Sequence, residues 1–121
     1  MTTEVRLTLN LYKEDKPMQN ESALLNEIVR ALYPYARLYR INVIRVKNTQ
    51  GRWLTTGVPK GYSDLSGYRI GDGRAVYIEC KVAPNKPTTE QETFLARARE
   101  HGAIAGVCYS VEDALALIGV G

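Results

Sequence analysis

Asp64, Glu79 and Lys81 are the residues of this chain whose types and spacing suit work on a phosphate. Residues 75–82 alternate, so Val76, Ile78, Cys80 and Val82 face one way while Ala75, Tyr77, Glu79 and Lys81 face the other. Glu79 and Lys81 are thus neighbours on one face of a strand apolar enough to be central, where charge is costly unless it is paired or serves a ligand. Residues 65–70 read as a second strand, joined to the first through Gly71-Asp72-Gly73, a strong hairpin signal. A two-residue turn at Asp72-Gly73 sets Asp64 opposite Lys81, and one at Gly71-Asp72 sets it opposite Glu79. Only a three-residue turn would send Asp64 to the other face. Two carboxylates and an ammonium therefore converge at one end of a hairpin. Carboxylates with water and a phosphate oxygen are the usual holders of Mg²⁺, which activates water and offsets charge on a phosphate. Lys81 could orient the attacking water or neutralise the transition state. The alternative is a plain ion pair of Lys81 with Glu79 or Asp64 on a half-exposed sheet. The short pattern acid-x-Lys recurs at Glu14-Asp15-Lys16, but in a polar turn with no strand to present it.

The elements that position these residues follow from periodicity. Residues 5–12 alternate like a strand. A helix starts at the N-cap Asn20, carries the stripe Leu24, Ile28, Ala31 and Leu32, and stops at Pro34. Glu21 lies three residues before Leu24 and seven before Ile28, so it follows that stripe toward the core. It is equally a favourable first-turn acid at the positive helix end. Residues 38–46 read as a strand, and 47–61, with the lone Trp53, as a loop or loose hairpin. Thr88 and Gln91 form a capping box that opens a helix ending at Gly102, a role sufficient in itself to explain Gln91. A strand at 104–109 and a helix from Ser110 to near Gly119 complete the chain. The expected order is β-α-β-β-β-α-β-α, a mixed α/β layer domain.

Composition removes several classes. A chain of 121 residues, 45% apolar and 24% charged, is one globular domain able to build a core without staples. No apolar run approaches the ~18 residues of a membrane span, and the opening residues are not a signal sequence. Cys80 and Cys108 lie inside apolar runs and read as small core residues in a reduced cytoplasmic compartment. His101, before Gly102, suits a helix C-terminus, and Gly57 and Gly61 do not form a phosphate-binding loop. The net charge is only +3, yet Arg37, Arg40, Arg45, Lys47, Arg52 and Lys60 fall in one segment without a single acid. Such a segment is the electrostatic footprint of a surface that meets polyphosphate, or else a solvated strand edge. Trp53 and Tyr62 beside it could stack on splayed bases or simply pack.

Glu21, Arg40-Ile41-Asn42, the run Gly57-Val58-Pro59-Lys60-Gly61-Tyr62-Ser63-Asp64-Leu65, Glu79-Cys80-Lys81 and Gln91, in this order, resemble the VRR-NUC domain. This is the virus-type replication-repair nuclease family of the PD-(D/E)XK superfamily, and the resemblance runs from Gln19 to the C-terminus. It leaves residues 1–18 as an N-terminal extension. It implies a restriction-endonuclease-like mixed sheet flanked by helices and a Mg²⁺- or Mn²⁺-dependent phosphodiesterase. Asp64, Glu79 and the Cys80 carbonyl would hold metal, Lys81 would be the catalytic lysine, and Glu21 and Gln91 would complete the site. Arg37, Arg40, Asn42, Lys47, Arg52 and Lys60 would meet nucleic acid. Ser63 stands where the superfamily name places Pro, a turn-shaping position rather than a chemical one.

The expected function is thus a metal-dependent, structure-specific DNA endonuclease resembling Holliday-junction resolvases, which act as homodimers on branched DNA. Residues 5–12 are a candidate dimer contributor. A flap or splayed-arm nuclease and a non-catalytic nucleic-acid-binding module are the rival expectations. A purely structural interaction domain would leave both the acidic trio and the basic segment unexplained.

Overall fold

Asn20 accepts the Ala23 N–H at 2.7 Å and so caps the first helix as expected from its type. A computed structural model describes residues 20–41 and 44–120. Within them the helix α1 (Glu21–Leu32) buries Leu24, Leu25, Ile28 and Leu32, with Ala31 packed beside them. Five strands follow: β1 (Ala36–Arg40), β2 (Ile44–Lys47), β3 (Trp53–Thr56), β4 (Leu65–Arg69) and β5 (Ala75–Cys80). Then come α2 (Thr89–Glu100), β6 (Ile104–Cys108) and α3 (Val111–Ile118). The fold is mixed α/β. A four-stranded sheet of order β1-β4-β5-β6 is antiparallel except for the parallel β5–β6 pair, and β2 and β3 form a separate two-stranded ribbon.

Alternation divides the sheet into two faces. Ala36, Leu38, Leu65, Val76, Ile78, Cys80 and Cys108 join Leu24, Ile28, Leu32, Ala114 and Ile118 in one core, so α1 and α3 cover that face. On the other face α2 lies over β5 and β6, burying Leu95 and Ala105. β4 can approach β1 only because residue 67 is glycine: a Cβ there would sit 1.8 Å from the Arg37 carbonyl oxygen.

Two expectations change. Residues 38–46 are not one strand. β1 runs on beside β4 until the Ile41 N–H donates to the Asp64 carbonyl at 3.0 Å, whereas β2 pairs with β3, so the loose hairpin expected over 47–61 recruits the end of the strand expected before it. The described order is therefore α-β-β-β-β-β-α-β-α. The strand expected at 5–12 lies outside the described residues.

The second change is the β4–β5 connection. Arg69 N–H donates to the Arg74 carbonyl at 2.8 Å, leaving Ile70 to Gly73 as a four-residue loop rather than a two-residue turn. Arg69 also pairs with Asp72 at 2.5 Å inside it, which holds the Asp72 carboxyl down to about 2. A four-residue loop keeps the parity of a two-residue one. The register, Leu65 opposite Ile78, extends to Asp64 opposite Glu79, the second of the two arrangements that the spacing allowed.

Candidate active site

The side chains of Asp64, Glu79, Lys81 and Gln91 meet where β4 begins and β5 ends. Glu79 projects from the central strand on the α2 face and is 2% exposed. Its two oxygens are engaged differently. Oε2 accepts the Asp64 N–H at 3.2 Å, while Oε1 accepts Gln91 Nε2 at 2.8 Å and lies 3.6 Å from Lys81 Nζ. Asp64 returns the contact: its Oδ2 accepts the Cys80 N–H at 2.9 Å. Each carboxylate thus binds the backbone of the other's strand. Every buried side-chain polar atom among the described residues has a partner.

Gln91 serves two purposes with one amide. Its Oε1 accepts the Thr88 N–H at 2.8 Å and its backbone N–H donates to Thr88 Oγ1 at 3.2 Å, completing the capping box. The remaining Nε2 is left to hold Glu79. The helical cap that accounts for Gln91 by itself is also what aims it.

The electrostatics follow from burial. Desolvation first, then the neighbouring Asp64 charge and a hydrogen bond to it, push Glu79 from its ordinary 4.5 up to about 8, and Lys81 offsets only part of this. On the opposite face of β5 the Cys80 thiol is pushed far above its ordinary range by burial, with Asp64, Cys108 and Glu79 adding to it. Burial likewise pushes Cys108 up to about 12. Both thiols are free, buried and in register on adjacent strands, which fits core packing and removes them as nucleophiles.

Glu21 stands in the first turn of α1, half-buried, and its charge reaches the Cys80 thiol. It makes no hydrogen bond or ion pair with the four central side chains. Cys80 presents its backbone instead. Lys81 N–H donates to Cys108 on β6 at 3.1 Å, so the preceding Cys80 N–H and C=O point to the other edge of β5, toward Asp64.

A divalent cation fits this donor set in kind: two carboxylates held in mutual repulsion and a carbonyl aimed at the same edge, all hard oxygen donors. No group of three or more His, Cys, Asp and Glu side chains is gathered for a metal among the described residues, so water or substrate oxygens would complete the shell.

The basic residues do not form one patch. Arg37 donates to the Tyr33 carbonyl and stacks over the Tyr33 ring at 3.6 Å. Arg40 points to the other face and reaches Ser22 Oγ at 3.5 Å, beside Glu21. Lys47 lies 5.8 Å from the centre of the Trp53 ring on the ribbon, and Arg52 is exposed in the same hairpin. Lys60 pairs with Glu90 at 3.6 Å. Asn42 lies outside the described residues.

Some positioning residues escape a reading by motif. Gly61 is needed for its backbone: its φ is +89°, and a Cβ would meet the Glu90 carbonyl oxygen at 2.5 Å. This contact seats the 57–63 loop on the first turn of α2. Tyr62 then packs in an aromatic trio with Tyr77 and Phe94, at centroid distances of 5.8 and 4.7 Å. Ser63, 2% exposed, donates its hydroxyl to the Leu65 carbonyl at 2.8 Å, a turn-closing bond that proline could not make. The signal for Gly61 was present in its sequence, a glycine four residues after another, but its partner, Glu90, is 29 residues away.

No protein-family model matches the chain, and no curated protein matches it significantly.

Proposed function

We propose that this chain is a metal-dependent, structure-specific DNA endonuclease of the VRR-NUC type, built on a restriction-endonuclease-like sheet and acting on branched DNA. The observation that carries this is the Asp64–Glu79 pair at one end of the β4–β5 hairpin, Glu79 buried and Asp64 half-buried, with Lys81 beside it. A pair of acids placed to repel each other inside a sheet is costly unless something cationic or protonic relieves it. Mg²⁺ or Mn²⁺ held by Asp64, Glu79 and the Cys80 carbonyl would supply Lewis acidity at the scissile phosphate and a more acidic water. Gln91 fixes the Glu79 carboxylate in one orientation. Lys81, 12% exposed along its side chain, sits at the solvent edge of the pair, placed to orient the attacking water and to offset charge on the phosphate. Glu21, on α1 at the other face of the sheet, would join this group only by the family resemblance; its charge reaches the Cys80 thiol.

No helix of the described residues is long and apolar enough to cross a membrane. DNA is proposed as the partner from the acid-and-lysine chemistry of the site and the basic side chains of residues 37–60. The second reading, a non-catalytic nucleic-acid-binding module, is favoured by the same hydrogen bonds: both Glu79 oxygens already have donors. The test is cleavage of labelled four-way junction, splayed-arm, flap and linear duplex DNA with and without Mg²⁺. Metal-dependent cutting of a branched substrate supports the nuclease; binding without cutting, at any metal concentration, leaves the binding module.

Binding and chemistry should separate. Replacing Arg40, Lys47 and Arg52 by Ala is expected to weaken DNA affinity and flatten log K against log salt by roughly one unit per lost phosphate contact. An unchanged slope would make these side chains a solvated face.

The active species is expected to be a homodimer. One chain supplies a single acidic cluster and hence one nick per engagement, while resolving a junction needs two symmetric nicks, which a two-fold dimer provides. Light scattering with and without a junction measures this. A monomer that cuts flaps or splayed arms would point away from a resolvase.

A further inference from the structure

A cavity of about 730 Å³ lies between the hairpin end of β5 and α2, on the same face of the sheet as the acidic site. Asp64, Glu79, Lys81 and Gln91 do not line it, but near neighbours of two of them do. Tyr77 lines the cavity and lies two residues before Glu79 on the same strand face, about 7 Å along the strand. Glu90 lines it too, and the next residue, Gln91, holds Glu79. The inner wall is aromatic: the half-buried rings of Tyr77 and Phe94 meet edge to face with centroids 5.2 Å apart. Ala98 on α2 leaves room in front of them. Cationic side chains, Lys60 and Arg97, stand at the sides together with His101.

The volume is that of a site for one small ligand and excludes a double helix. An apolar ligand would need no cationic border, and a bare anion would need no aromatic wall. A nucleotide needs both, a π-surface for its base and positive charge for its phosphates. We propose that this cavity receives an unpaired nucleoside of the DNA substrate, about one or two nucleotides from the phosphate held at Asp64 and Glu79. Its base rests against Tyr77 and Phe94, and its flanking phosphates meet Arg97 and, in exchange for its Glu90 partner, Lys60. The inference rests on the nuclease reading and sharpens it: the preferred substrate carries an unpaired strand at the cut, as splayed arms and flaps do.

The test is a binding assay on a splayed-arm oligonucleotide without added metal, so that cleavage plays no part. A single abasic residue is walked through the unpaired arm. One or two adjacent positions are expected to weaken binding about 5- to 100-fold, the loss of one base stack. 2-Aminopurine at those positions should lose fluorescence when the protein binds. Ala98→Phe, which fills the cavity, should erase both effects, with circular dichroism to show that it folds. Arg97→Glu, on the exposed side of α2, should weaken binding and decides the matter if Ala98→Phe does not fold. A flat abasic walk overturns the proposal, even if free AMP binds the protein, and so does a filled cavity that leaves the walk unchanged. Cleavage with a flat walk spares the nuclease reading and ends this one. A position-dependent walk without Mg²⁺-dependent cleavage does the reverse.

Discussion

Glu79→Gln is expected to lose Mg²⁺-dependent cleavage by about 10²–10⁴-fold or more while still binding branched DNA, and Asp64→Asn and Lys81→Ala to do the same. Each change removes one charge from a group whose members touch: Asp64 and Glu79 bind each other's strands, and Lys81 lies 3.6 Å from Glu79. The fold should survive all three, because the hydrophobic core of Leu65, Val76 and Ile78 lies on the same strands but faces the other side of the sheet. Gln at position 79 keeps an acceptor for Gln91 Nε2, so the α2 cap is retained. Gln91→Ala is different in kind. It acts through Glu79 and should lower the rate less than Glu79→Gln does. The measurements are single-turnover cleavage at saturating protein and affinity for an uncut junction. Wild-type cleavage by Glu79→Gln would remove the chemistry from this site.

The site was legible in the sequence because it depends on parity. Strand alternation in 75–82 put Glu79 and Lys81 on one face, and any loop of even length would bring Asp64 to that face as well. The loop is longer than expected, four residues closed by Arg69–Arg74, yet Asp64 still meets Glu79. The helix caps were legible for a similar reason: Asn20, Thr88, Gln91 and Ser110 each act on a backbone group three residues away. What was not legible is long-range. That β1 ends at Arg40 is decided by its pairing with Leu65, and the β2–β3 ribbon by where the chain then turns, neither of which shows in the β-branched run across 38–46. The seat of Gly61 on Glu90 and the trio of Tyr62, Tyr77 and Phe94 join segments far apart in the chain. Contiguous charge in sequence also failed to become a contiguous surface. Arg37 and Arg40 leave opposite faces of one strand, and Lys47 and Arg52 sit on a different sheet.

The wild-type protein is expected to lose stability as pH rises from about 4.5 to about 8, and the Glu79→Gln protein to lose much less. The folded Glu79 carboxyl takes up its proton near pH 8 and the unfolded one near 4.5, so between those values the folded state holds the extra proton. Stability from this group is then complete below about pH 4.5, declines by at most about 1.4 kcal/mol per pH unit, and is gone above about pH 8. At 2% exposure solvent screens little of it, and the total is on the order of a few kcal/mol. Gln matches the protonated acid in charge and keeps an oxygen for Gln91 Nε2, but its NH2 replaces the oxygen that accepts the Asp64 N–H. The variant should therefore melt no higher than wild type near pH 5, and the difference should move in its favour as pH rises to 8 and above. A divalent cation works in the opposite sense. It needs both carboxylates ionised, so millimolar Mg²⁺ should raise the wild-type melting temperature at pH 8 far more than at pH 5, and should do little for Glu79→Gln. Thermal melts of both proteins across pH 4–9, with and without Mg²⁺, measure both terms. Parallel curves for the two proteins would mean that Glu79 titrates in the fold as it does unfolded, burial and Asp64 being offset by Lys81. A Mg²⁺ effect equal in both would place the ion somewhere other than between Asp64 and Glu79.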